Sequence, residues 1–275
     1  MTKIALLQMT SGIDPEVNAN AIVHAAHQAA GEGAKMLFTP EMAGLLDRKR
    51  SRAGENIVAE SESPIVERVA GTAAKAGIWI ALGLPVTRED GRWVNRTILF
   101  DDNGQVAARY DKIHMFDVEL DTGESWRESA AYAPGEHVVT VDDTPIGRLG
   151  LTTCYDIRFP ALFEELGQRC CDAIAIPAAF TVPTGKAHWH VLQRARAIEA
   201  SAFVVAAAQV GDHEDGRSTF GHSLVVGPWG DVLLDMGGDA LGLHVCEIDT
   251  GRIAEVRKQL PSLANKRDIP RSRNP

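Results

Sequence analysis

The 275-residue chain carries 28 Lys and Arg against 37 Asp and Glu, a formal charge of −9, with 45% hydrophobic and 24% charged residues. This is the balance of a globular enzyme with a substantial core, and it argues against nucleic acid or an anionic membrane as the main partner. No apolar run approaches the roughly 20 residues needed to span a bilayer. Met1-Thr-Lys-Ile-Ala-Leu-Leu-Gln leads straight into a strand pattern, so a cytoplasmic location is expected.

In chain order, residues 4–9 read as a strand, 18–31 as an Ala-rich amphipathic helix and 36–38 as a strand. A helix over 64–76 starts at a proline, and a buried strand follows at 78–84. Strands at 96–101 and 105–110 are joined by Asp102-Asn-Gly104, a hairpin signal. Ser223-Leu-Val-Val-Gly-Pro-Trp-Gly-Asp-Val232 resembles Thr97-Ile-Leu-Phe-Asp-Asp-Asn-Gly-Gln-Val106. Two matched hairpins suggest two similar sheets. The irregular stretch 114–136 is long enough to suggest a functional loop.

Further on, helices are expected at 160–168 and 186–201, with strands at 173–176, 203–208, 223–226, 232–234 and 243–248. The tail from Arg257 is basic and punctuated by proline, like an arm that hugs a partner. No Pro/Gly/Ser linker divides the chain, so residues 1–275 read as one domain, its last ~20 residues forming the arm. Cys154, Cys170, Cys171 and Cys246 show no Cys-x-x-Cys or Cys/His ligand spacing, so no metal or other cofactor is expected. His188 and His190 lie two apart on a predicted helix, face different ways and cannot pair on a metal.

The chemistry centres on Cys154, in Arg148-Leu-Gly-Leu-Thr-Thr-Cys-Tyr-Asp-Ile-Arg-Phe-Pro160, where a strand-like stretch meets a helix-compatible one. A thiol at such a junction faces a cleft, near amide N–H groups that favour the thiolate. Glu41 follows the strand Met36-Leu-Phe-Thr-Pro-Glu41, and Lys112 closes the strand Ala107-Ala-Arg-Tyr-Asp-Lys112. A carboxylate, an ammonium and a thiol at three strand ends are the parts for cysteine-based amide hydrolysis without histidine. Arg158, four residues past Cys154, would stand one helical turn on and face the same cleft, suited to a substrate carboxylate.

Thr39-Pro-Glu41-Met, Tyr110-Asp-Lys112-Ile-His and Thr153-Cys154-Tyr-Asp-Ile-Arg-Phe-Pro stand in this order, separated by 71 and 42 residues. Together with Gly221-His-Ser-Leu-Val-Val-Gly-Pro-Trp-Gly230, they make the chain resemble the nitrilase superfamily of carbon–nitrogen hydrolases, and its Nit branch most. The resemblance runs from Ile4 to about Pro270. It implies a four-layer α-β-β-α sandwich, paired subunits and hydrolysis of deaminated glutathione or the ω-amides of α-keto acids. N-carbamoyl amino acid hydrolysis, aliphatic amidase activity and a catalytically idle scaffold are the alternatives.

By the same resemblance, Glu41 would serve as general base and acid. Lys112 and the Tyr155 N–H would hold the oxyanion, and Glu128 would orient Lys112 and the substrate. Nitrilases proper usually carry Trp-Glu after the nucleophile. Tyr155-Asp156 here favours amides over nitriles.

Overall fold

Parallel strands need crossover helices, and the alternation of apolar runs with amphipathic helices supplies them. The computed structural model describes residues 1–121, 123 and 125–270. β1 (Thr2–Gln8) leads through α1 (Pro15–Gly31) to β2 (Met36–Phe38), and then through α2 (Arg50–Ala53) and α3 (Pro64–Ala76) to β3 (Trp79–Thr87). These three strands are parallel; β4 (Trp93–Phe100) and β5 (Val106–Asp111) return as antiparallel neighbours.

The ribbon of β6 (Asp117–Glu119) and β7 (Ser125–Arg127) precedes β8 (Val139–Thr144), and then the arrangement repeats. β9 (Gly147–Leu151), α4 (Pro160–Gln168), β10 (Ala173–Ala175), α5 (Val182–Ala200) and β11 (Phe203–Ala206) form the second parallel set. A ribbon of β12 (Val210–Asp212) and β13 (Ser218–Phe220) separates it from the hairpin β14 (Leu224–Val226) and β15 (Val232–Asp235). β16 (Gly242–Ile248) returns to pair with β1, and α6 (Gly251–Gln259) follows. The sheets run β16-β1-β2-β3-β4-β5 and β15-β14-β11-β10-β9-β8. Each holds three parallel strands, a hairpin on one side and an antiparallel edge strand on the other, as the matched hairpins suggested.

Alternation along the strands builds the layers. Ile4, Leu6, Met36 and Phe38 pack with Leu149, Leu151, Ala173 and Phe203, so these faces meet sheet against sheet. The intervening Ala5, Leu7 and Leu37 pack with Ile22, Ala26 and Val69 of α1 and α3. On the far side Ile174, Val204 and Ala206 pack with Phe163, Trp189 and Ala197 of α4 and α5. The result is a four-layer α-β-β-α sandwich. Because the parallel strands are covered on both faces, they read as continuous apolar runs.

Several boundaries differ from expectation for local reasons. α1 starts at Pro15 because Asp14 caps it, accepting from Glu16 N at 2.8 Å. α5 starts four residues early, with a proline in its first turn. Residues 251–259, partly read as the start of the arm, are helical, with Ile253 and Val256 buried. Beyond them Lys266 pairs with Glu164 of α4, so this part of the tail lies on its own chain.

Candidate active site

Glu41, Lys112 and Cys154 converge at one end of the two sheets. β2 ends at Phe38, and the turn after it carries Glu41 inward, 5% exposed, with Met42 in the left-handed region at φ 57°. A Cβ on Gly83 would lie 2.3 Å from Pro40 O, so only glycine lets β3 pass this close behind that turn. Lys112 follows β5, and its N–H donates to Asn95 O of β4 at 2.9 Å. Its ammonium, buried, donates to Glu41 Oε1 at 2.9 Å and to Glu128 Oε1 and Oε2 at 3.1 and 2.9 Å. Glu128 opens a 3₁₀ turn in the long loop and accepts from Phe116 N at 2.6 Å.

Cys154 begins a 3₁₀ helix, Cys154–Arg158, just past β9. Its φ of 47° is left-handed, a strained backbone that the surroundings hold in place. Its N–H donates to Pro177 O at 2.9 Å. Asp156, fully buried, locks the same turn. It accepts from Thr153 N at 2.9 Å, Tyr110 OH at 2.6 Å, His114 N at 3.0 Å and His114 Nδ1 at 2.7 Å. Tyr155 N–H, near the helix start, belongs to the set with no intrahelical acceptor.

Burial alone would raise the Glu41 carboxyl. The Lys112 ammonium and hydrogen bonds from Cys154, Lys112 and Ala179 N–H hold it below the ordinary carboxylate range instead. Burial works against the Lys112 ammonium, but Glu128 and Glu41 outweigh it and raise Lys112 well above its usual value. Burial and the neighbouring Glu41 push the Cys154 thiol well up, against the pull of Lys112. The resting nucleophile is therefore a neutral thiol beside a carboxylate, not the thiolate that the strand–helix junction suggested. With two carboxylates to one ammonium, a thiolate would be a third anion without local compensation.

The cavity over these residues holds about 550 Å³, room for a small molecule. Glu41, Lys112, Glu128, Cys154 and Tyr155 all line it; Arg158 does not. A 3₁₀ helix turns every three residues, so the fourth residue on stands roughly 120° away from the first. The Arg158 guanidinium accordingly turns to His188 Nδ1 at 3.3 Å and lies 5.3 Å from the Phe180 ring centroid. Arg158 therefore stands in line with Tyr155 rather than Cys154. Contrary to expectation it is not part of the cavity lining but lies behind Tyr155 and Phe180, which are, at 5.8 and 5.3 Å from their ring centroids. Arg217 lines the cavity in its stead, its Nε and Nη2 held by Asp215 at 2.8 and 2.7 Å and its guanidinium 5.0 Å over the Trp126 ring. Although the whole chain is acidic, the lining holds six Lys and Arg against three carboxylates.

Three further groups escaped the sequence reading. Asn95 Nδ2 donates to Glu41 Oε1 at 2.7 Å and to Glu128 Oε1 at 3.2 Å, tying the two carboxylates together. Its only signal was a polar residue in an apolar strand. Ala179 N–H donates to Glu41 Oε2 at 2.8 Å and, as a backbone group, leaves no trace in residue types. Arg217 gave no signal either: Asp215 is local, but the fold alone brings the pair to Trp126 and the cavity.

The family model for carbon-nitrogen hydrolase matches residues 3–258. A deaminated glutathione amidase of Yersinia enterocolitica is 41% identical over 270 residues, 97% of this chain and 93% of that protein. The crystal structure of the C. elegans NitFhit protein superposes with a TM-score of 0.89 at 34% identity, covering 97% of this chain and 65% of that longer one. The E41Q mutant of the amidase from Nesterenkonia sp. AN1, a structure showing the result of Michael addition of acrylamide at the active site cysteine, superposes with a TM-score of 0.79 at 29% identity over 95% and 98% of the two chains.

Proposed function

The chain belongs to the carbon–nitrogen hydrolase family, and from that premise we propose a Nit-type cysteine amidase acting on deaminated glutathione or the ω-amide of an α-keto acid. The observation that carries the reading is the buried Lys112 ammonium held between Glu41 and Glu128 beside a neutral Cys154 thiol.

Cys154 Sγ attacks the amide carbon as its proton passes to Glu41, so the thiolate forms only as its charge moves onto the substrate. The oxyanion is received by the Lys112 ammonium and the Tyr155 N–H. Removing one such donor typically costs on the order of 10²–10³ in rate. As the C–N bond breaks, Glu41 returns its proton to the departing nitrogen. It then takes a proton from the water that attacks the thioester, and Cys154 leaves as the restored thiol. Glu128 and Asn95 keep Lys112 and Glu41 in register for both halves. Arg217 receives the substrate carboxylate, with its fork already oriented by Asp215.

The protein works as a homodimer in the cytosol. Val191 and Ile198, 68% and 43% exposed and seven residues apart on α5, offer an apolar strip for pairing. All four cysteines are free thiols, which suits a reducing compartment.

Steady-state hydrolysis of deaminated glutathione, a keto-acid ω-amide, an N-carbamoyl amino acid and a neutral aliphatic amide tests the reading. Release of the dicarboxylic keto acid from either of the first two, at a kcat/KM well above the others, is expected. Preference for the N-carbamoyl substrate or the neutral amide would replace it with those activities, and no turnover with any would make the chain a scaffold.

A further inference from the structure

His190, His222 and Asp235 meet on the outer face of the second sheet, brought by α5, the turn before β14 and the end of β15. His190 Nε2 lies 2.9 Å from Asp235 Oδ2, and His222 Nδ1 lies 2.9 and 3.2 Å from Asp235 Oδ1 and Oδ2. All three ligand atoms fall within 4.8 Å of one another. We propose that these three side chains form a binding site for a divalent transition metal of the zinc type, separate from the amidase centre.

Zinc takes His nitrogen and carboxylate oxygen at about 2.0–2.2 Å, which puts neighbouring ligands of a tetrahedron about 3.3 Å apart. The two His–Asp contacts already have nearly that spacing. In the metal-free site the facing nitrogens, His190 Nε2 and His222 Nδ1, donate to Asp235; shifting each proton to the other ring nitrogen, His190 Nδ1 and His222 Nε2, frees both lone pairs without net proton loss.

The rings are held in advance. His222 sits at φ 55°, a left-handed backbone uncommon outside glycine, fixed by its N–H to Gly237 O at 2.8 Å. Its ring stacks on Phe220 at 4.4 Å and meets His190 edge-on at 5.0 Å. Among the described residues no Lys or Arg pairs with Asp235 to compete with a cation. Three protein ligands with each side chain partly exposed leave room for water in the fourth position. Nitrogen donors select zinc, nickel or copper over magnesium and calcium. Val191 and Ile198 lie about a quarter turn around α5 from His190, so the apolar strip leaves the site uncovered.

Zinc chloride is titrated calorimetrically into the full-length Cys154→Ser chain, which removes the cavity thiol as a rival ligand. One equivalent is expected, with a rise in Tm that magnesium does not reproduce. His190→Ala and Asp235→Asn should each weaken zinc at least about tenfold and abolish the thermal shift. Cobalt at the same site should show no thiolate charge-transfer band. Unchanged affinity in both variants, a thiolate band pointing to Cys170 and Cys171, or no binding at all would overturn the site. Asp235→Asn keeps the side-chain shape, so it decides the question should His190→Ala fail to fold.

Discussion

Replacing Arg217 by glutamine isolates the substrate anchor. Its guanidinium presents Nε and Nη2 to Asp215 and leaves Nη1 uncommitted among the described residues. A charge-assisted, partly desolvated contact to a substrate carboxylate contributes about 1.5–3 kcal/mol, or roughly a 10- to 150-fold loss in kcat/KM when removed. Part of the damage should be structural, because the Asp215 side chain is fully buried and would keep only the Arg48 and Arg217 N–H groups, at 2.9 and 3.1 Å. The assay therefore compares a keto-acid ω-amide with a neutral amide of equal length. The acidic substrate should lose the full factor, mostly in KM, and the neutral one less than about threefold. Arg217→Lys should recover only part, since an ammonium lacks the planar fork. In parallel, Arg158→Gln, outside the cavity, should leave both substrates nearly untouched. Equal losses on both substrates at Arg217, or a selective loss at Arg158, would refute the reasoning.

Cys154→Ala should abolish turnover with the melting curve preserved. Glu41→Gln should reduce kcat by at least about 10²-fold, because one carboxylate moves the proton in both half-reactions; more than a tenth of wild-type rate would exclude that role. The pH profile of kcat/KM should be flat from about pH 5.5 to about 9, without an imidazole step. The sign follows from the shifts: the depressed Glu41 contributes stability above its unfolded pKa, lost only as pH falls through the lower folded one. The raised Lys112 contributes below its unfolded pKa, lost only as pH rises through the higher folded one. Asp156→Asn should lower stability by about 1–3 kcal/mol, read by denaturant melting, since the amide cannot accept all four donors and leaves a buried one unsatisfied. Gly83→Ala should damage activity without touching a reacting group, by driving a Cβ into Pro40 O behind Glu41.

The convergence of Glu41, Lys112 and Cys154 was legible because each follows a strand, and strand ends gather at one rim of a parallel sheet. The doubled sheet was legible in the matched hairpins for the same reason: turn chemistry is local. Arg158 was misread because an α-helical and a 3₁₀ turn have the same composition but differ by about 80° over four residues. Asn95 and Ala179 were invisible because their partner Glu41 lies far along the chain; Arg217 pairs locally with Asp215, and only the fold brings that pair to the cavity. His190 was excluded from metal binding by considering only its helix neighbour His188, whereas His222 and Asp235 stand 32 and 45 residues on.

The ownership of the reacting groups follows the doubling of the fold. Glu41 and Lys112 hang from the first sheet, Cys154 and the Ala179 amide from the second, and the apolar faces of the two sheets meet between them. Neither half alone holds both a nucleophile and a base. During synthesis the thiol stays unassisted until the second sheet has docked, so a nascent chain cannot attack amides around it. Turnover thus reports assembly of the two halves. A chain severed between them, in the stretch before β8, should regain activity only when its two pieces are refolded together.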